Sequence, residues 1–382
     1  MFRTILISVI TLMHFYVFWR FRSIPLLNRH VSGTVYAGTG LFLWATFISG
    51  HIIGHGETGI PAQSLEFAGM TWMAVLFLCM VCLIMTELIT GFGFLLKRQA
   101  PTIRGSAMIM GMCLSVIALV QGIREPVVVY HEVNLSGLPH DLDGTVIVAI
   151  SDMHLGSLIG KKWLERRVAQ IQQEDPDLVL LLGDIFEGHG ANHNDLIPTL
   201  QGISAPLGLF AVPGNHEFHG TDNGVLFLIE EAGFRLLFNR WVEVCPGLII
   251  SGVEDLTYHN RRGLNNDPIS TALTGRPEGA TILLSHTPWQ VEQAAEKGVG
   301  LILSGHTHGG QIWPFGYLVK HYYPFFIGRY ELMGMTAIVS RGTGTWGPRM
   351  RLWHRGEILN ITLNAKDSWT IKEQEREASE GG

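Results

Sequence analysis

Between residues 150 and 310, two aspartates, one asparagine and five histidines stand in short polar clusters, each closing an apolar run. VIVAI (146–150) leads into Ser151-Asp152-Met153-His154, and LVLLL (178–182) into Gly183-Asp184. GLFAV (208–212) leads into Pro213-Gly214-Asn215-His216-Glu217, and ATILL (280–284) into Ser285-His286-Thr287-Pro288. GLILS (300–304) ends at Gly305-His306-Thr307-His308-Gly309-Gly310. Imidazole suits borderline transition ions, and a carboxylate can bridge two cations. Two adjacent cations lower the pKa of a shared water, hold phosphoryl oxygens and neutralise charge during an in-line displacement. Magnesium alone would draw mainly on oxygen ligands, so five histidines favour two divalent ions of the Mn, Fe or Zn kind. A single histidine after a strand is more often a hydrogen-bonded structural residue. Five clusters in series are not background.

The elements that position these clusters follow from the apolar runs. Runs this short fit buried strands, and segments 161–174 and 222–233 fit helices between them. Ligands at strand ends are expected of an α/β fold, where rigid strands point several loops into one crevice. Periodicity does not separate a Rossmann-like sheet from other α/β arrangements. A phosphate loop of the GxxxxGKS/T type and a GxSxG elbow are both absent, so a P-loop nucleotide site and an α/β-hydrolase serine have no support in the sequence.

The ordered set D-x-H, G-D, G-N-H-E, a later H and G-H-x-H resembles the calcineurin-like metallophosphoesterase superfamily, and all five motifs stand intact across residues 152–308. HTHGGQ (306–311) and GTGTWGPRMR (342–351) look like its bacterial membrane-associated branch. The resemblance implies a two-sheet α/β sandwich with outer helices over 126–365. It implies that Asp152, His154 and His308 bind one metal, that Asp184 bridges, and that Asn215, His286 and His306 complete the second. His216 would then be the non-ligand imidazole that stabilises charge or protonates the leaving oxygen. A hydroxide bridging the metals would be the nucleophile. Glu187 and Glu217 are expected beside the ligands or at the surface rather than on a metal. His189, His193 and His219 are weaker candidates for the cleft wall.

The first part of the chain has a different grammar. Residues 1–125 carry 8 Lys/Arg against 4 Asp/Glu, whereas 126–382 carry 19 against 29. Four apolar stretches, near 2–19, 35–53, 68–96 and 106–123, each approach the ~20 residues that cross a bilayer as helix. The expected architecture is therefore an α-helical transmembrane region of about four spans (1–125), a catalytic domain (126–365) and a disordered tail (366–382). Arg20, Arg22 and Arg29 in the first loop, and Lys97, Arg98 and Arg104 in the third, place those loops in the cytoplasm. The catalytic domain then lies on the extracytoplasmic side of a plasma (inner) membrane. Glu87, inside the third stretch, is read as packed against other spans or approaching an interface rather than as a proton relay. Cys79, Cys82, Cys113 and Cys245 offer no disulfide framework.

The acidic second part argues against a nucleic-acid surface. The expected partners are the lipid bilayer and a phosphorylated, lipid-linked or membrane-proximal substrate. Soluble phosphodiesters, and a non-catalytic scaffold or sensor retaining the fold, are the alternatives. The segment 311–330 mixes aromatics with Lys320, His321 and Arg329, as a lipid-headgroup interface or a packed core would. In the GTGTWGPRMR loop, Arg349 or Arg351 offers a planar fork for phosphate, and Trp346 offers packing.

Overall fold

The computed structural model describes residues 2–57, 59–187, 191–218 and 224–366. His189, His219 and the tail expected to be disordered, apart from Lys366, lie outside the described residues. The chain forms two compact units, Met1–Arg124 with Trp346–Arg355, and Glu125–Thr345 with Gly356–Gly382.

The first unit contains α1 (Phe2–Arg22), α2 (Pro25–His30), α3 (Gly33–Ser49), α4 (Ile60–Thr90) and α5 (Ala100–Ile123). Ser32 caps α3 by accepting the Val35 N–H at 3.2 Å. Helix α4 begins and ends earlier than the apolar stretch 68–96 suggests. Pro61 sits in its first turn, where its missing N–H costs nothing, and Gly91 closes it in a left-handed conformation. Four helices in this unit, all but α2, are long and apolar enough to cross a membrane.

Glu87, near the end of α4, is buried and held by two arginines. Arg104 donates to it at 2.8 and 3.1 Å in a two-pronged contact, and Arg20 Nη2 lies 3.2 Å away. Arg104 also donates to Ser23 Oγ at 3.1 Å. Glu87 is thus ion-paired to neighbouring elements, as burial of a carboxylate requires.

Residues 346–355 group with these helices. The Arg351 N–H donates to the Ala118 carbonyl at 2.9 Å, and the Trp353 N–H to the Gln121 side chain at 2.8 Å. The approach is close enough that a Cβ at Gly122 would stand 2.5 Å from the Arg349 carbonyl oxygen. Arg351 is wholly buried there.

The second unit begins with β1 (Val127–Leu135), β2 (Val146–Ile150), α6 (Lys161–Gln172), β3 (Leu178–Leu181), α7 (Ile197–Leu200), β4 (Leu209–Ala211), α8 (Gly224–Glu231) and β5 (Arg235–Leu236). It continues with β6 (Arg240–Cys245), β7 (Leu248–Gly252), α9 (Leu256–Arg261), α10 (Pro268–Leu273), β8 (Ala280–Leu284), α11 (Val291–Glu296) and β9 (Leu301–Ser304). Helix α12 (Gly316–Tyr322) and β10 (Gly328–Leu332), β11 (Met335–Val339) and β12 (Glu357–Ala365) complete it. The strands make two six-stranded sheets, ordered β1-β12-β2-β3-β4-β5 and β10-β11-β9-β8-β7-β6.

Strands β3, β7, β8, β9 and β11 are buried at every position, which is why they read as unbroken apolar runs rather than alternating ones. One core lies between the sheets and joins Ile147, Leu180 and Val212 to Ile250, Ile282 and Leu303. A second core packs α6, α7 and α8 on the first sheet, and a third packs α9, α10 and α11 on the second. The two-sheet sandwich with outer helices is therefore present. Parallel pairs β2-β3-β4 and β7-β8-β9 run all their C-terminal ends toward the polar clusters.

Candidate metal centre

Three of the five clusters leave their strands through an unusual backbone. Asp152, His154, Asp184, His306 and His308 all have positive φ, between 48° and 70°. Asp and His tolerate the left-handed region better than most residues, yet five such positions in one crevice store strain of the sort found at functional sites. The surrounding bonds hold them there. The Asp152 N–H donates to the Gly183 carbonyl at 3.0 Å and the His154 N–H to the Asp184 carbonyl at 3.0 Å. The Thr343 and Gly344 N–H groups close onto the carbonyls of Ser151 and Asp152 at 2.8 and 3.0 Å. At Gly305 only hydrogen fits, because a Cβ would stand 1.7 Å from Ser151 Oγ and 2.5 Å from Asp152 Oδ2.

The side chains converge as two overlapping groups. Asp152, His154 and His308 form one and Asp184, His286 and His306 another, and a third joins His154, Asp184 and His216. His308 Nε2 lies 3.2 Å from Asp152 Oδ1, and the Nε2 atoms of His154 and His308 face each other at 3.0 Å. His306 Nδ1 lies 3.3 Å from His286 Nε2, which is 3.1 Å from Asp184 Oδ2. The same Asp184 oxygen is 3.9 Å from His154 Nε2 and 3.9 Å from His216 Nε2. Asp184 Oδ1 is occupied by the His216 backbone N–H at 2.9 Å, so Oδ2 is the atom shared between the groups.

Four of the far ring nitrogens are anchored, and the anchors decide which nitrogen points inward. His286 Nδ1–H donates to the Leu182 carbonyl at 2.7 Å. His154 Nδ1 meets Glu187 Oε2 at 2.6 Å, and His216 Nδ1 meets the same oxygen at 2.9 Å. His306 Nε2 meets the Tyr323 hydroxyl at 2.8 Å. Glu217 is buried and acts on two loops at once. It accepts the N–H groups of Asp184 (2.9 Å) and Gly214 (2.7 Å) on one oxygen, and of Ile185 (2.8 Å) and Phe186 (3.1 Å) on the other.

The carboxylates and imidazoles of the site set one another's protonation. Burial would raise the Asp184 carboxyl, but His286, His216 and His154 override it and hold it well below the carboxylate range. Burial likewise opposes charge on His216, while Asp184 and Glu187 lift it to about 9. His306 moves the other way, to about 4, through burial and the neighbouring His286. The donor set fits two divalent cations on a further observation. Asn215 Oδ1 is buried with no hydrogen-bond partner, a costly state for an amide oxygen unless a cation takes it.

Of the sequence candidates, the seven metal positions and His216 stand on the loops around this crevice. His193 does not line it. It is buried with Nε2 3.0 Å from the Glu187 carbonyl and its ring beside Phe186. Sequence reasoning missed Tyr323, one aromatic among many, and Asp255, which accepts from Thr287 beside His286 at 2.6 Å. The segment 311–330 divides. Trp313, Phe315, Tyr317, Leu318 and Tyr322 are exposed, whereas Tyr323 and Phe325 turn toward the domain.

A family profile described as calcineurin-like phosphoesterase matches residues 145–310. A Danio rerio transmembrane protein with metallophosphoesterase domain is 33% identical, the match covering 67% of this chain and 62% of the relative. A Campylobacter jejuni metallophosphoesterase is 31% identical over 68% of this chain and 69% of the relative. An Aquifex aeolicus metallophosphoesterase is 36% identical over 58% of this chain and 85% of the relative. The chain spans less than two thirds of the length of the zebrafish relative and of the bovine one, at 62% and 65%.

Proposed function

The chain belongs to the calcineurin-like metallophosphoesterases, and from that premise we propose that it hydrolyses a phosphoester or phosphoanhydride at a binuclear metal centre. The observation that carries the proposal is Asp184 Oδ2, one oxygen facing the imidazoles of both ligand groups. Asp152, His154 and His308 would hold one cation, Asn215, His286 and His306 the other, and Asp184 both. Divalent ions of the Mn, Fe or Zn kind would supply a water of lowered pKa and neutralise phosphoryl charge.

The chain's own groups do the rest. The family resemblance favours a role off the metals for His216, whose Nδ1 lies 2.9 Å from Glu187 Oε2. Glu187 fixes its Nδ1, so Nε2 is the atom that presents a proton to the leaving oxygen. Asp184 and Glu187 lift His216 to about 9, and with Asp184 holding cations that lift would shrink, leaving an imidazole able both to hold and to release the proton.

The substrate in this reading is lipid-linked or membrane-proximal. Four helices fit membrane spans, and α12 with its flanks exposes Trp313, Phe315, Tyr317 and Tyr322, the residue types of a lipid interface. Loop charge supports reading the chain as a multi-pass plasma-membrane protein with its catalytic part outside the cytoplasm. The soluble-phosphodiester reading makes a different prediction. The full chain, metal-loaded and reconstituted in vesicles, should hydrolyse a bilayer-borne pyrophosphate or phosphodiester faster than its short-chain soluble analogue. Equal rates would favour the soluble substrate. A C-terminal alkaline phosphatase fusion that is inactive in cells would overturn the orientation.

A further inference from the structure

Helix α12 is seven residues long and buries none of its side chains. Tyr317, Leu318 and Tyr322 are 72, 61 and 72% exposed, and Trp313 and Phe315 stand exposed just before the helix. An isolated helix this short is unstable in water, and helices in proteins are held mainly by the face they bury. The base of α12 is fixed, since a Cβ at Gly310 would stand 2.2 Å from Gly316 Cα. Beyond that base the fold gives it little to pack on, so a surface laid against its outer side has the most to add.

The last turn of α12 leads straight to a metal ligand. The Tyr323 N–H donates to the Val319 carbonyl at 3.0 Å and closes the helix. The Tyr323 hydroxyl stands 2.8 Å from His306 Nε2, while His306 Nδ1 faces His286 Nε2 at 3.3 Å. Trp289 stacks on the Tyr323 ring at 5.7 Å, which fixes the plane of that ring. How far the hydroxyl reaches within the plane is set by the backbone that ends α12. With Nδ1 turned to a cation, Nε2 carries the proton and donates to the Tyr323 oxygen, so the hydroxyl holds the imidazole in the ligating tautomer.

Charge indicates what lies against the outer side. Residues 311–330 contain Lys320, His321 and Arg329 and no Asp or Glu, within a part of the chain that carries 29 acidic residues against 19 basic. Arg329 pairs with Glu331 at 2.7 Å, whereas Lys320 and His321 are exposed on α12 itself. Aromatic rings interleaved with basic groups match anionic lipid headgroups, and four helices of the same chain are long and apolar enough to cross a membrane. We propose that α12 docks on an anionic lipid surface and that this contact, through Tyr323, positions His306 for its cation. The inference rests on the binuclear centre proposed above and adds its regulation. Lipid contact orders the last turn of α12, that turn places the hydroxyl, and the hydroxyl holds the imidazole. Tyr323 is thus a positioning residue.

The test uses the Mn-loaded full chain in nanodiscs of phosphatidylcholine alone or with about one third phosphatidylglycerol. Hydrogen exchange of the α12 backbone amides reads the contact. Mn retained per chain under chelator, measured by inductively coupled plasma mass spectrometry, reads the coupling. Phosphatidylglycerol should slow the exchange roughly fivefold, the effect of one lysine at such a surface, and slow the loss of one Mn in step. Lys320→Glu should abolish both effects. Tyr323→Phe should keep the slowed exchange, weaken retention of that Mn on the order of tenfold, and make it the same in both lipids. Equal exchange in the two lipids would overturn the docking and leave the face to an acidic protein partner. Slowing that Lys320→Glu leaves intact would also overturn it. A lipid effect on Mn loss that survives in Tyr323→Phe would overturn the coupling. The two readings fail separately. No ester is cleaved in these measurements, so their failure leaves the hydrolase standing, whereas a Mn-loaded chain that cleaves no ester contradicts the hydrolase and not the contact.

Discussion

Replacing Glu217 by glutamine exchanges one oxygen for an amide nitrogen, and the structure sets the expected cost. The carboxylate accepts four backbone N–H groups, two on each oxygen, from the loops that carry Asp184 and Asn215. Glutamine can still accept one pair but turns an NH2 toward the other. Two hydrogen bonds to a charged group are then lost, each about 1.5–3 kcal/mol, for a total of about 3–6 kcal/mol. Burial first and Asp184 second push the Glu217 carboxyl up, so part of the gain from ionisation is already offset. The loss should therefore fall toward the lower end of that range. For a domain of this size the melting temperature should drop on the order of 10 °C. Thermal scanning of the full chain in detergent with excess chelator measures it, with exposed Glu278→Gln as the control. A drop no larger than that control's would refute the claim that this carboxylate pins the ligand loops.

Removing Arg104 by Arg104→Ala leaves the buried Glu87 with Arg20 as its remaining arginine contact, and should destabilise the detergent-solubilised chain by about 3–5 kcal/mol. The double change Glu87→Gln with Arg104→Met should recover most of that in the same thermal scan. Gly305→Ala should displace Asp152 and lower the bound metal per chain measured by inductively coupled plasma mass spectrometry; an unchanged load would contradict the packing argument. In metal-free protein His216 has a folded pKa of about 9, above its ordinary ~6.5. Its contribution to stability is thus complete below about pH 6.5 and lost as pH rises through 9. Glu187→Gln removes a carboxylate that raises it, so unfolding scans between about pH 6 and 10 should show a shallower alkaline loss in the variant.

The ligand loops were legible because each closes a strand buried on both faces. Continuous apolar runs marked the strands, and the first polar residues after them marked the sheet ends. What periodicity could not supply was the pairing of β1 with β12, residues from opposite ends of the domain held together in one sheet. Nor could it say that Glu217 points inward, since a Glu beside a ligand loop reads equally well as solvated. Glu87 was visible as a charge in an apolar stretch, but Arg20 and Arg104 counted as loop cations and their turn toward it required three helices in register. Tyr323 was hidden by composition. Its neighbours Tyr317 and Tyr322 face outward, and only the helix ending at Tyr322 turns the next ring toward His306.

The central claim is that Asp184 joins two cations into one hydrolytic centre. The most direct test is release of p-nitrophenol from a chromogenic phosphodiester by the full chain in detergent with added Mn, beside folded Asp184→Ala. The account predicts metal-dependent turnover in the parent chain that falls at least a hundredfold in the variant. Turnover that survives in Asp184→Ala at the parent rate would contradict it.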